Sequence, residues 1–198
     1  MRGPGVQVPV RVTAAVAVVV AAVACGGHPD PATTAPSASA SPNIPAYTAE
    51  LEKSDLPWSG SPSPYDAVAT LDDGRRVALH YRRGTGLVEQ HYSPRAKAWT
   101  RPKVIHRTTT DACQGIHLRT SNGTVAATAD FGSYYYDGEP PTESLAVVGT
   151  GSLAAWSVNV TKNFDGWERA AVSADGRRVV FGRGATLRWS SAHGFERR

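Results

Sequence analysis

The sequence predicts an all-β fold, an antiparallel meander of about three repeats of roughly 50 residues with the last one incomplete. Three observations carry that expectation. From about Tyr65 onward, short runs of β-branched and aromatic residues alternate with polar ones between Gly, Asp, Asn and Ser. No stretch sustains a 3.6-residue apolar period with helix caps. An Asp-Gly or Asn-Gly turn recurs at Gly74, Gly123 and Gly176, at spacings of 49 and 53 residues.

The strands expected from this pattern lie at 77–81, 86–92, 123–129, 144–148, 154–160, 178–181 and 186–189. The repeat is visible residue by residue. Segment 69–77, ATLDDGRRV, matches segment 171–179, AVSADGRRV, and the likeness extends through Arg83-Gly84 and Arg183-Gly184. A looser middle copy runs from Arg119 to Ala126. Each Asp-Gly or Asn-Gly pair supplies the positive φ angles that a tight hairpin turn requires. Four short strands fit in a repeat of this length, and the third repeat stops at Arg198 short of its last strand.

This spacing resembles the blades of β-propellers, in particular the sialidase-like and other extracellular bacterial propellers. The run Ser93-Pro94-Arg95-Ala96-Lys97-Ala98-Trp99-Thr100 is similar in rhythm to the end of their Asp-box turn, without its Asp and Gly. The resemblance covers about residues 65–198 and implies propeller-blade-like repeats. Propellers close with four to eight blades, so the blades here would close by self-association, or the chain would be a shortened relative of a longer one. The same strands also fit a β-sandwich or a small barrel. In the sialidase family three arginines hold the substrate carboxylate beside a Tyr-Glu pair and an acid. No motif in this chain fixes residues to those roles.

Ahead of the repeats lie two segments of different character. Residues 1–24 read as a signal peptide: Arg2 and Arg11 precede an uncharged Ala/Val run from Val12 to Ala24, too short to span a bilayer. Ala22-Val23-Ala24-Cys25-Gly26 resembles the bacterial lipobox, which implies cleavage before Cys25 and acylation of its thiol. Ala22 stands where that family usually carries a larger aliphatic residue, and the same residues also satisfy plain secretory cleavage. Membrane lipid is then the first expected partner, through a palmitate-type anchor, and the expected location is the outer face of the cell membrane, with secretion as the alternative. Residues 25–60 read as a tether rich in Pro, Ala, Ser and Thr, which has too little apolar bulk to offset its ordering entropy. Residues 61–198 form the expected domain.

The formal charge of +4 includes Arg2 and Arg11, so removal of the leader leaves 19 basic against 17 acidic residues. A weak surplus spread over many sites excludes a dedicated nucleic-acid face. The arginine pairs at 75–76, 82–83 and 177–178 read as solvated strand and turn residues. Cys113 is the only cysteine besides Cys25, and it reads as a buried, inert thiol in a domain that folds without disulfides.

Candidate chemistry is sparse. The six histidines have no zinc-type spacing, and His80 and His91 facing each other across a hairpin are the nearest approach to a metal pair. No metal, cofactor or catalytic set is expected, so the chain does not read as an enzyme. The one local feature suited to recognition is Tyr134-Tyr135-Tyr136-Asp137, a loop able to stack on sugars or grip a peptide; alternate tyrosines packed inward on a strand are the simpler reading. Trp99, Trp156, Trp167 and Trp189 read as core. Together these features suggest a surface-anchored, non-catalytic binding or interaction domain with a carbohydrate or protein partner, capable of self-association. The alternatives are a shortened glycoside-hydrolase-like propeller that binds sugar, and a structural envelope lipoprotein.

Overall fold

The structure is a computed structural model and describes residues 47–56, 64–132 and 140–196. All of these fall in one compact unit, Pro42–Arg198. The unit is all-β, with three separate antiparallel sheets of six, four and four strands.

In the first sheet, β2 (Asp66–Thr70), β3 (Arg76–Arg82) and β4 (Gly86–Ser93) form a meander. The far edge of β4 is shared by two short strands. β5 (Ala98–Thr100) pairs with its end, and β6 (Lys103–Arg107) pairs with its beginning. Pro102 sits between them, where a missing N–H ends one ladder before the next starts. β1 (Tyr47–Ala49) pairs with β5 at the sheet edge. The second sheet contains β7 (His117–Ser121), β8 (Thr124–Phe131), β9 (Glu143–Gly149) and β10 (Trp156–Lys162) as a four-strand meander. The third repeats that order with β11 (Arg169–Val172), β12 (Arg178–Arg183), β13 (Ala185–Ser190) and β14 (Gly194–Phe195).

The core explains the layering. Every residue of β8 is buried. Its odd positions Ala127, Ala129 and Phe131 pack with Leu79, Tyr81 and Leu87 of the first sheet. Its even position Ala126 packs with Val179, Phe181, Leu187 and Trp189 of the third. Side chains alternate across a strand, so a strand buried on both faces cannot carry the polar-out pattern of a surface strand. The alanines of β8 keep both neighbouring sheets close. Two cross-sheet bonds add to this packing: His106 Nε2 to Glu143 Oε2 at 2.8 Å, and Lys103 Nζ to the Ala154 carbonyl.

The propeller expectation is therefore corrected. Each sheet is open, the first with β6 branching off β4 beside the β1-β5-β4-β3-β2 path and the other two as simple four-strand paths, and none closes or joins a ring. The first and third sheets each pack on the middle one, and residues 50–56 cross the outer face of the first sheet. There, Gln90 Nε2 donates to Glu50 O at 2.9 Å, Glu52 N donates to Gln90 Oε1 at 2.9 Å, and Ser54 N donates to Asp66 Oδ1. A spacing of about 50 residues measures the length of a four-strand meander; it carries no information on ring closure. The single closed barrel is ruled out on the same ground. The third repeat also has its fourth strand, the two-residue β14.

The turns of the repeat do meet. Asn122 and Gly123 both have positive φ, 44° and 72°, as a two-residue hairpin requires. The two Asp-Gly copies instead sit in longer loops, where only Gly74 and Gly176 are left-handed and Asp73 and Asp175 each accept the N–H two residues on, at 3.0 Å. Asn122 N donates to Asp72 Oδ2 at 3.0 Å and Asn122 Nδ2 to Asp175 O at 2.9 Å, so the middle turn ties the other two together.

Candidate functional site

The third sheet has one buried and one open face. Its inward rows are Ala170, Phe181 and Leu187, then Val172, Val179 and Trp189. The rows between them point the other way: Arg169, Gly182 and Thr186; Ala171, Val180 and Arg188; Arg178 and Ser190. A groove of about 400 Å³ lies on this outer face, with Val180, Arg178, Arg188 and Glu196 among its walls. Val180 is 39 % exposed, an unusual position for a valine in the middle of a sheet. Arg188 has only a long, exposed contact to Glu196 at 3.9 Å. Among the described residues, Arg169 and Arg178 form no ion pair. Guanidinium groups beside a small apolar patch form a surface suited to an acidic partner.

Two buried polar clusters lie elsewhere. Asp130, on β8 opposite Ser144, is 3 % exposed. Burial raises its carboxyl to about 6, with the neighbouring Ser144 hydroxyl and the nearby charge of Arg183 opposing the rise. The Ser144 hydroxyl gives its proton to Phe164 O at 2.9 Å, so a protonated Asp130 can donate to the Ser144 oxygen in turn. Gly166, with φ +91°, packs against this carboxyl, and a Cβ there would stand 3.2 Å from Oδ2. Beside it, burial and the Asp130 charge push the Cys113 thiol up to about 12. The buried Tyr81 hydroxyl accepts Asp130 N at 2.9 Å, and burial lifts its own pKa well above the ordinary value.

The second cluster stands on β4. Glu89 and His91 are two residues apart, hence on one face, and both are buried. His91 Nδ1 lies 2.7 Å from Glu89 Oε1, and His91 Nε2 lies 3.1 Å from the Tyr47 hydroxyl. With Nδ1–H donating to the carboxylate, Nε2 is left to accept the Tyr47 O–H. The chain of three side chains therefore fastens β1 to the first sheet. It contains the residue types of a nucleophile–base–orienter set, but Glu89 and His91 are enclosed and present no reacting atom to solvent.

His80 and His91, the nearest approach to a metal pair in the sequence, do not face each other. His80 pairs with Val88 and His91 with Val77, which places the two imidazoles on opposite faces of β3 and β4. His80 is buried under the 50–56 segment with both ring nitrogens unpartnered; burial lowers its pKa, and Asp66 and Asp55 oppose this. Among the described residues, no three His, Cys, Asp or Glu side chains are grouped to hold a metal ion. Cys113 is a free, partly buried thiol. Trp99, Trp167 and Trp189 are buried, and Trp156 lies against Gly149. Cys25 and the loop residues Tyr134, Tyr135, Tyr136 and Asp137 lie outside the described residues. Also among the described residues, no helix is long and apolar enough to cross a membrane.

Sequence reasoning missed both polar clusters. The Glu-x-His spacing in β4 was the available signal for one. Nothing local marked Asp130, whose burial comes from the third sheet. No family model, no curated protein and no solved structure matches the chain, so the likeness to sialidase-type propellers gains no support from relatives either.

Proposed function

We propose that the chain is an extracytoplasmic lipoprotein, held on the outer face of a membrane through Cys25, and that its all-β unit is a non-catalytic binding or interaction domain. The observation that supports this most is the open face of the third sheet. It combines a groove, an exposed valine and three arginines, of which only Arg188 has an ion-pair contact, a long one to Glu196. A sheet face of this kind suits a macromolecular surface better than a small substrate, because it lacks enclosure. A second reading, a structural envelope lipoprotein with no small ligand, draws support from the enclosure of Asp130, Glu89 and His91. These buried groups present no reacting atom to solvent.

Two variants test the proposal in cells. Cys25→Ala should move the protein from the membrane fraction to the soluble or secreted fraction; unchanged membrane retention would overturn lipid anchoring. Arg178→Glu with Arg188→Glu, in the soluble Cys25→Ala background, should lose retention on isolated bacterial envelope material. Retention equal to that of the parent would remove the third sheet from consideration as the binding face.

A further inference from the structure

The 50–56 segment forms no strand, yet it lies across the outer face of the first sheet. Gln90 of β4 holds the Glu50 carbonyl and the Glu52 N–H, both at 2.9 Å. Further along, Asp66 of β2 accepts Ser54 N, and Asp55 accepts Arg83 N at 2.9 Å. Glu52 also pairs with Arg82. Each of these contacts uses a side chain on at least one side, so the segment is tied to the sheet without joining its ladder. Ala78, His80 and Val88 stand between these anchors, on the side of β3 and β4 opposite the core residues Leu79 and Leu87, and all three are buried. His80 is the odd member of that row. Neither of its ring nitrogens has a hydrogen-bond partner, whereas an apolar side chain would occupy the place without an unmet donor and acceptor.

We propose that the 50–56 segment is an acid-released strap, closed while His80 is neutral and lifted when His80 takes up a proton. Protonation leaves two N–H donors and a full charge beneath the strap, where neither nitrogen has an acceptor. Lifting the strap returns the imidazolium to water at the cost of a few side-chain contacts. The charged surroundings pull both ways. Asp66 on β2, opposite His80 in register, and Asp55 on the strap favour the proton. On the same face of β3, Arg82 is engaged with Glu52, and Arg76 lies over the Tyr92 ring. Glu50 and Lys53 of the strap are exposed. β4 presents Val88, Gln90 and Tyr92 on this face and no charge, while its Glu89–His91 pair lies on the other face. Burial outweighs the two carboxylates and makes His80 harder to protonate when covered. The closed strap is therefore favoured above the ordinary 6.5 and weakens as pH falls below it. Opening uncovers Ala78 and Val88 beside the exposed Val68, so acid turns a covered face into an apolar one.

The test is amide hydrogen exchange, followed by NMR between pH 5.5 and 7.5 on the full chain carrying Cys25→Ala and corrected for the intrinsic pH dependence of exchange. Three N–H groups report on the strap directly, those of Glu52, Ser54 and Arg83, because each is held by a side chain across it. An imidazole that titrates near 6.5 once uncovered favours the open state about tenfold more at pH 5.5 than at pH 7.5. Protection of the three amides should therefore fall together by up to about tenfold, and should stay below that of the β8 amides, which report unfolding of the whole unit. His80→Phe and His80→Gln, one apolar and one polar and neither titrating, should each abolish the fall. Parent protection that is constant or rises in acid would overturn the proposal. So would a fall that persists in both variants, which would assign it to another group such as His91. Exchange of the three amides at the same rate as β8 would also overturn it, since the strap would then open only with the whole fold.

Discussion

Asp130 offers the sharpest quantitative test of the packing described above. Its carboxyl is lifted from an ordinary 3.8 to about 6, with burial the largest cause. The folded state therefore holds a proton that the unfolded chain has already released between pH 4 and 6. Across that window the fold loses stability as pH rises, and above pH 6 the loss is complete. Two pH units of difference correspond to about 3 kcal/mol, at 1.36 kcal/mol per unit. Asp130→Asn keeps the shape and removes the charge, and its amide can donate to the Ser144 oxygen, whose own proton goes to Phe164 O. The variant should match the parent near pH 4 and exceed it by about 3 kcal/mol at pH 7.5, a rise in melting midpoint of roughly 6–12 °C for a unit this size. The assay is urea unfolding at half-unit steps from pH 4 to 8, read as the difference between the two proteins. The difference matters because His80 titrates with the opposite sign. A parent and variant that stay parallel across pH 4–7, or a variant less stable at pH 7.5, would refute the account of Asp130 as an enclosed carboxyl.

Three further outcomes follow from single sites. His80 has a lowered pKa, so the unfolded chain takes up the proton first as pH falls below the ordinary 6.5; His80→Phe should therefore gain stability relative to the parent below pH 6 and little at pH 8, and no pH-dependent gap in thermal melts would contradict this. Gly86 has φ +113°, and a Cβ there would fall 2.1 Å from His106 O, so Gly86→Ala should cost about 3 kcal/mol or more, whereas Gly84→Ala, with open space at φ +66°, should cost about 1 kcal/mol; equal losses in denaturant titrations would show that the β4–β6 approach is not this tight. Cys113, pushed up to about 12, should resist alkylation at pH 8 in the folded protein and react once urea unfolds it, as mass spectrometry will show; rapid labelling of the native chain would mean an open thiol.

The local signals in the sequence were strong for strands and turns. The short runs at 77–81, 86–92, 123–129, 178–181 and 186–189, bounded by turn residues, anticipated β3, β4, β8, β12 and β13, because β-branched and aromatic side chains and turn chemistry act within a few residues. The Asp-Gly and Asn-Gly turns anticipated the first hairpin of each sheet for the same reason. The strands that went unseen, β1, β2, β5, β6, β7, β11 and β14, are short or half-exposed edge and near-edge elements whose pairing partner supplies their order.

The sequence by itself determined that this chain builds antiparallel four-strand meanders, because turn chemistry and alternation are properties of neighbours along the chain. Composition drew the start of the domain at residue 61, whereas Tyr47–Ala49 pair with β5 and residues 50–54 bond to the first sheet, because partners distant in sequence give that stretch its order. Only the tertiary structure decided how the meanders combine. Three open sheets stack because β8 is buried on both faces, and the 50–56 segment covers one end while the face around Val180 stays open. Burial decided the chemistry as well: the same Asp is an ordinary carboxylate on a surface strand and a proton-holding group between two sheets, and no spacing in the sequence distinguishes the two.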